Sequence, residues 1–245
     1  HVILLFVFVA ILTGCRGDIY VQQSTSTEVE TPRITGVDGF YLINEGNMGS
    51  NKATLDYFDE KTGVYHKNIY AERNPSKVKE LGDVGNDIEI YGTKLYAVIN
   101  CSHKVEVMNA SDATSITKID IPNCRYVLGY GGYVYVSSYV SPVQDDPTAP
   151  LGAIFKVDTT LLKVVDRVDV GYQPEEMVVS NGKIHIANSG GYRAPDYDRT
   201  VSVVDLKSFE VIRDIDVDIN LHRVKRDGNG MVYVSSRGDN ASIPS

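Results

Sequence analysis

The sequence has no tryptophan and only three cysteines among 245 residues, and its cations are outnumbered by its anions. Three cysteines are too few for a fold held together by disulfide bonds. A net charge of −8 argues against binding to nucleic acids or anionic membranes through bulk electrostatics. Hydrophobic residues make up 42% of the chain, which excludes a disordered protein and allows a sizeable core. Sixteen tyrosines favour β-strands over a helical bundle.

Long hydrophobic runs are also missing, apart from one at the N-terminus. The stretch 2–12 is too short to span a bilayer, and its length is typical of the core of a signal peptide. Thr13, Gly14 and Cys15 follow it, and the sequence around them resembles a bacterial lipoprotein box. The resemblance implies a signal peptide in residues 1–15, cleavage before Cys15 and lipidation of its thiol. The alternative is a buried strand or helix that ends in an ordinary cysteine.

Residues 16–36 are polar, rich in serine and threonine, and show no sustained hydrophobic period. We expect a flexible tether here, followed by a folded domain in residues 37–245. The protein is then expected to be exported and anchored through its lipid to the outer membrane or the cell surface. Its body stays soluble, and the lipid anchor is the only contact with the membrane.

A repeat of about 48 residues runs through the rest of the chain. Each unit begins with a glycine and an alternating strand that has an aromatic or similar ring at its centre. A second alternating strand follows and ends in Asp or Asn, whose side chain is expected to accept hydrogen bonds from turn amides. The central residues of the first strand type include Tyr96, Tyr135, His185 and Tyr233. The second strand type ends at Asp59, Asn109, Asp158 and Asp205.

Each unit predicts four short antiparallel strands joined by tight turns, without a helical stripe. Such a unit at this interval is typical of an all-β fold, the β-propeller of four-stranded antiparallel blades. The competing folds are a β-sandwich, which would not repeat these landmarks, and a β-solenoid, which would repeat at a shorter period. About four and a half units are present. We therefore expect an incomplete ring, from a longer chain that is truncated here at its C-terminus.

Several segments resemble a known family of surface propellers. Segments 40–47 and 53–59 look like the opening of a Bacteroides-type propeller, and segments 81–84 and 171–174 continue the match. These are the YncE-like proteins, often labelled surface-layer proteins and built of seven blades, with a BtuG-type lipoprotein branch. The resemblance implies a protein that captures a corrinoid, such as vitamin B12, beside a TonB-dependent outer-membrane transporter.

The propeller topology places two sets of loops on one face, where several blades contribute polar tips to one concave surface. Tyr and Arg offer stacking faces and charge-assisted hydrogen bonds, which suit a bulky, amide-rich, partly charged ligand such as a corrinoid. The plainer alternative is that polar residues serve turn geometry there. The candidate ligand-binding residues are Asn44, Glu45, Asn86, Asp87, Asn100, His103, Arg125, Tyr126, Tyr139, Tyr172, Gln173, Glu175, Asn188, Tyr192, Arg193, His222, Arg223 and Arg237.

Two loops on this face, 139–150 and 189–200, are long and stiffened by proline. We expect them to carry specificity, the alternative being ordinary tolerated insertions. Their aspartates lack the spacing of a calcium loop, and no histidine pattern indicates zinc, so neither a metal nor a cofactor is predicted. A disulfide between Cys101 and Cys124 is left open, because both are expected at the same face of an exported protein.

No catalytic motif is found, such as a nucleophile elbow, a zinc-binding helix or a phosphate-binding loop. The leading hypothesis is a non-enzymatic receptor that binds a small molecule and hands it to a transporter, without a nucleic-acid partner. One alternative is a surface interaction or adhesion propeller that binds protein or glycan. Another is a propeller hydrolase similar to lactonases, because fold alone does not exclude an enzyme and Glu175 and Glu176 form a carboxylate pair.

Overall fold

The computed structural model describes residues 23–29 and 38–239. Short β-strands dominate these residues, and one helix of five residues lies among them. In chain order the elements are β1 Thr25–Glu28, β2 Gly39–Asn44, β3 Thr54–Asp59, β4 Val64–Lys67, α1 Ile69–Arg73, β5 Gly85–Tyr91, β6 Lys94–Ile99, β7 Lys104–Asn109, β8 Ser115–Asp120, β9 Cys124–Tyr130, β10 Tyr133–Ser138, β11 Ala153–Asp158, β12 Lys163–Asp169, β13 Pro174–Ser180, β14 Lys183–Asn188, β15 Thr200–Asp205, β16 Glu210–Asp216, β17 Leu221–Arg226 and β18 Val232–Ser236.

The strands form antiparallel sheets that follow one another along the chain. Strands β5–β8, β9–β12 and β13–β16 make three four-stranded sheets in simple sequential order, and β17 pairs with β18. The first sheet has the order β1-β4-β3-β2, so β2 is its innermost strand among the described residues. The predicted all-β fold of four-stranded antiparallel blades in series is confirmed. Helix α1 was not predicted, and it fills the connection between the first two sheets with its buried Ile69 and Tyr70.

The ring-bearing positions of the repeat lie at equivalent places in successive sheets, as predicted. Each occupies the centre of the second strand of its sheet and pairs with the same position of the adjacent inner strand. The pairs are Tyr96 with Glu89, Tyr135 with Leu128, His185 with Val178, and Tyr233 with Lys225. This shared register shows that the repeated sequence landmarks mark repeated structural units.

The acidic ends of the third strands cap the turns that follow. One carboxylate oxygen of Asp59, Asp158 or Asp205 accepts hydrogen bonds from the amides two and three residues later, at 2.8 to 3.3 Å. These backbone hydrogen bonds lower the pKa of Asp158 and Asp205. Asn109 instead donates to the Thr114 hydroxyl at 2.7 Å. The role predicted for the three aspartates is confirmed.

The core lies between the faces of neighbouring sheets. Aliphatic side chains from both sheets pack at each boundary, and a fully buried Val, Leu or Ile contributes about 1.5–3 kcal/mol through removal from water. Fully buried examples, in order of the boundaries, are Leu55 with Leu95, Val98 with Val136, Ile154 with Ile184, and Ala187 with Leu221. Each sheet is therefore held mainly by the sheets next to it in the series.

Strand β1 corrects the prediction of a tether across residues 16–36. Thr25–Glu28 pairs with β4 as the outermost strand of the first sheet, and all four residues are exposed. The prediction was based on polar composition and on the absence of a hydrophobic period, but an edge strand needs only backbone pairing. The signal peptide, Cys15 and residues 16–22 and 30–36 of the tether lie outside the described residues. Within residues 23–29 and 38–239, no helix has the length and apolar character needed to cross a bilayer.

Candidate functional site

The inner strands β5, β9, β13 and β17 stand side by side, and each has a register irregularity near its first residues. Irregularities of this kind re-aim side chains and are frequent next to functional sites. Two polar positions of each strand fall in the irregular stretch. They hold Asn86 and Asp87 in β5, Arg125 and Tyr126 in β9, Glu175 and Glu176 in β13, and His222 and Arg223 in β17.

A residue in the left-handed backbone region precedes every one of these inner strands. The four residues are Val84, Asn123, Gln173 and Asn220, with φ of 61°, 39°, 49° and 53°. Non-glycine residues adopt this conformation rarely, and Asn does so more readily than most. The same backbone conformation thus directs the chain into each inner strand at an equivalent point of the repeat. This brings the polar pairs of the four strands together.

The polar pairs of the inner strands interact with one another, and we call them the axial network. Its most deeply buried charge is Glu175, whose side chain is completely inaccessible to solvent. Arg125 donates from Nε and Nη2 to one carboxylate oxygen, at 3.2 and 3.1 Å, and Tyr139 donates its hydroxyl to the other at 2.5 Å. Burial disfavours the charged form of Arg125, but its electrostatic interactions with Tyr139 and Glu175 raise its pKa above the ordinary value. Burial and Glu175 likewise raise the pKa of Tyr139.

Arg237, which follows β18, is a second cation at the same carboxylate. Its Nη1 lies 3.5 Å from an oxygen of Glu175, and 40% of its side chain is exposed. Nearby, the Tyr126 hydroxyl and His222 Nε2 are hydrogen-bonded at 2.9 Å. Burial, reinforced by Arg237, lowers the pKa of His222 to about 4. The imidazole is therefore neutral at pH 7, and the net charge here is set by the arginines and Glu175.

Carboxylates also tie neighbouring inner strands to one another. An oxygen of Asp87 accepts the Val127 amide at 2.9 Å, and an oxygen of Glu176 accepts the Val224 amide at 2.8 Å. The other oxygen of Glu176 takes Lys225 at 2.8 Å. Burial raises the pKa of Asp87 to about 6, with a further contribution from Glu176. These two carboxylates thus hold adjacent sheets at a fixed spacing near the axis.

The two long loops pack against each other above this network. The Tyr139 and Tyr192 rings meet edge to face with centroids 6.1 Å apart, and the Asp146 amide donates to the Tyr192 carbonyl at 2.8 Å. Behind them the Arg193 guanidinium lies 3.8 Å from the Tyr172 ring centroid. A cation against an aromatic face contributes about 0.5–2 kcal/mol. The loops therefore form one ordered wall.

A cavity of about 430 Å³ opens on this face, and its lining comes from β9 and from loops that adjoin strands of every sheet. Its volume lies within the range of small-molecule sites, towards the lower end. The lining residues are Glu45, Gly46, Met48, Val84, Asn100, Arg125, Tyr139, Val143, Gly191, Tyr192, Asn220 and Arg237. Six of them are among the residues predicted from the sequence: Glu45, Asn100, Arg125, Tyr139, Tyr192 and Arg237.

The other predicted residues lie behind the cavity or in supporting positions. The axial network contains Asp87, Tyr126, Glu175, His222 and Arg223. Tyr172, Gln173 and Arg193 support the Tyr192 loop, and Gln173 accepts the Tyr192 amide at 2.6 Å. Asn44, Asn86, His103 and Asn188 make hydrogen bonds that hold turns and strands, to Thr54, Arg125, Asn123, and Thr200 with Ser202. Those four have the turn and strand roles of the plainer interpretation.

Half of the cavity lining was missed from the sequence. Met48, Val84 and Val143 are apolar and the two glycines, Gly46 and Gly191, have no side chain, whereas the residues predicted from the sequence are all polar. Asn220 had a usable signal, because it occupies the same place before β17 that the predicted Gln173 occupies before β13. The others have no chemical signature, since they matter through shape.

Neither metal-type clusters nor a disulfide are found in the part of the chain that the structure describes. No group of three or more His, Cys, Asp or Glu side chains in this part is arranged to hold a metal ion. Cys101 and Cys124 are both free thiols, and Cys124 is buried. The open question of a bridge between them is answered by two separate, reduced cysteines.

Comparisons with solved structures support the fold alone. Hydrazine synthase of Kuenenia stuttgartiensis matches with a TM-score of 0.58 at 16% identity, over 74% of this chain and 49% of that one. BamB of Moraxella catarrhalis matches with a TM-score of 0.50 at 11% identity, over 74% and 48%. The computationally designed Ika8 protein gives 0.50 at 11% identity, over 78% and 57%. The chain spans about half the length of the first two, and its blades match propeller structures.

A search of curated proteins finds no match to this chain. A family model does match, over residues 38–243, which covers strands β2–β18 and the whole cavity lining. The chain therefore belongs to the family described as domain of unknown function (DUF5074).

Proposed function

We propose that this protein is a lipid-anchored receptor of the cell surface that binds a small molecule in the cavity of its loop face and passes it to an outer-membrane transporter. The observation that carries the proposal is the cavity itself, which is lined by Arg125 of β9 and by residues of loops that adjoin strands of all five sheets. A concave surface to which several blades contribute residues is typical of a propeller binding site. Its position over the inner strands makes it rigid.

The chemistry of the lining favours a bulky ligand with polar groups. Tyr192 supplies an aromatic face and Arg237 a partly exposed guanidinium, whereas Tyr139, Arg125 and Asn100 reach the lining from buried or mostly buried positions. Aromatic and arginine side chains dominate the energetics of many binding sites. A corrinoid is larger than a cavity of about 430 Å³, so it would insert one part and rest the remainder against the two long loops.

The finer family assignment and the membrane anchor are part of this proposal. The resemblance of segments 40–47 and 53–59 to YncE-like propellers of the BtuG type supports a corrinoid as ligand and a TonB-dependent transporter as partner. The lipoprotein-like sequence at Cys15 supports attachment to the outer membrane.

A non-enzymatic role is favoured because the carboxylates of Glu175 and Glu176 already have hydrogen-bond and ion-pair partners within the protein. Glu175 is bound by Arg125 and Tyr139, and Glu176 by Lys225 and a backbone amide. A carboxylate that is already held in this way is poorly placed to take a proton from a substrate. We therefore prefer binding to hydrolysis.

Calorimetric titration of the mature protein with cyanocobalamin and with cobinamide tests the proposal. We expect saturable heat with at least one of them, and at least a tenfold loss of affinity for Tyr192→Ala, which removes an aromatic wall. Tyr130→Ala is the matched control, because Tyr130 is exposed and lies outside the cavity lining. Absence of heat with both ligands, or equal affinities for wild type and Tyr192→Ala, would refute corrinoid binding at this site.

The two other hypotheses have their own signatures. An adhesion protein would capture a protein or glycan other than a transporter from an outer-membrane extract. A hydrolase would turn over a lactone or ester, and this activity would be lost on changing Glu175 or Glu176.

A further inference from the structure

We propose that the cavity selects ligands that carry an anionic oxyacid group, a carboxylate or a phosphate, and that this group binds to the guanidinium of Arg237. The inference rests on the proposed function, because it concerns the same cavity. It specifies the ligand's chemistry beyond a bulky polar molecule.

The first argument is the balance of charge around Glu175. Arg125 and Glu175 already form a buried pair in which two guanidinium nitrogens contact one carboxylate oxygen. Arg237 adds a second positive charge, while His222 is neutral at pH 7 because burial lowers its pKa to about 4. Two cations around one carboxylate leave one positive charge uncompensated at the base of the cavity.

The second argument is that Arg237 has donors to spare. The Glu175 oxygen that faces it already accepts the Tyr139 hydroxyl at 2.5 Å, whereas Arg237 Nη1 stays at 3.5 Å. Within the described residues this is the only side-chain contact of the Arg237 guanidinium with an acceptor. A guanidinium has five N–H donors in a planar fork that matches a carboxylate or phosphate.

The third argument is the surroundings of these donors. Arg125 and Arg237 both line the cavity, and the lining also includes the apolar Met48, Val84 and Val143. A partly enclosed, partly apolar cavity weakens screening by water, so an anion there is attracted more strongly than on an open surface. The acidic Glu45 is exposed at the cavity and is more strongly screened.

Titration of the protein with inorganic phosphate and with acetate, at constant ionic strength against chloride, tests the inference. The readout is the arginine Nε–Hε region of the ¹⁵N NMR spectrum. We expect a saturable shift of the Arg237 signal with phosphate, acetate or both, and the comparison of the two arms identifies the preferred group. Arg237→Gln should weaken binding of the preferred anion at least tenfold, as expected for the loss of a charge-assisted hydrogen bond.

Two further variants separate charge from geometry and from general effects. Arg237→Lys keeps the charge but loses the planar fork, so it should bind more weakly than wild type and more tightly than Arg237→Gln. Arg167→Gln is the matched control, because Arg167 forms an exposed ion pair with Asp169 on an outer strand. Its anion binding should equal that of the wild type, and the melting temperatures verify that all variants fold.

The outcomes distinguish this inference from the proposed function. Lack of a saturable shift up to tens of millimolar anion, or an equal response in Arg237→Gln, overturns the inference even if a corrinoid binds. Conversely, anion binding at Arg237 without corrinoid binding refutes the corrinoid assignment and leaves the inference standing.

Discussion

Replacement of Glu175 by glutamine should destabilise the protein by about 3 kcal/mol. Glu175 is completely buried, and it neutralises Arg125, of whose side chain only 13% is exposed. Removal of one partner of a buried pair leaves an uncompensated charge, which costs about 3–5 kcal/mol. Glutamine keeps the shape and one acceptor oxygen, so the lower end of that range applies. Total stabilities of about 5–15 kcal/mol make a change of this size easy to measure.

A double-mutant cycle with Arg125→Met identifies the cause. Each single substitution should cost about 3 kcal/mol, but the double variant should cost at least 2 kcal/mol less than the sum, because it leaves neither charge unpaired. Urea unfolding can be followed by tyrosine fluorescence and circular dichroism, since the chain has no tryptophan. Asp169→Asn, in the exposed pair with Arg167, is the control and should cost less than about 1 kcal/mol. A cost below 1 kcal/mol for Glu175→Gln, or strict additivity, would refute the assignment of a buried pair.

Three further predictions concern protons and thiols. The folded-state pKa of Asp87 is raised from 3.8 to about 6, so its favourable contribution to the free energy of unfolding is present below pH 4 and is lost as the pH rises through 6. In urea titrations the stability of Asp87→Asn should therefore gain up to ~3 kcal/mol on that of the wild type between pH 4 and 7. A difference in stability that stays constant with pH would contradict this. The folded-state pKa of His222 is lowered to about 4, so its favourable contribution to the free energy of unfolding is present above pH 6.5 and is lost as the pH falls through 4. The stability of His222→Gln, measured in the same urea titrations, should therefore rise relative to that of the wild type as the pH falls from 6.5 to 4. Stabilities of the two proteins that change in parallel with pH would contradict the lowered pKa. Burial raises the pKa of Cys124 to about 12, so this thiol should react with a disulfide reagent at pH 8 only after unfolding. The partly exposed Cys101 should react slowly in the native protein. Equal reaction rates of the two thiols in the native protein would contradict the buried position of Cys124.

The fold was predictable because the same pattern of strands recurs several times in the sequence. Each unit repeats a glycine, an alternating strand and a strand that ends in Asp or Asn, and repetition turns weak local signals into a strong one. Strand β1 escaped prediction because nothing repeats it and because no face of Thr25–Glu28 is buried. Helix α1 escaped because five residues are too few to show a helical period.

The candidate site was predictable only in outline. Loop assignment correctly placed Arg125, Tyr139, Tyr192 and Arg237 around one cavity, since strand order determines which loops share a face. Sequence could not say that Glu175 would be covered, because this depends on how Arg125 and Tyr139 reach it across sheet boundaries. Side-chain contacts between repeats have no signature within a repeat.

The carboxylate links between neighbouring inner strands make the spacing of the sheets depend on the length of two side chains. The strands that surround the cavity belong to separate sheets, and at the axis Asp87 and Glu176 span the gaps to backbone amides of the next sheet. Exchange of Asp for Glu at such a position, or the reverse, changes the reach of the link by one methylene group and leaves every ladder of hydrogen bonds intact. A single substitution of this kind is therefore expected to change the distance between two neighbouring sheets, and with it the width of the opening, without a new fold.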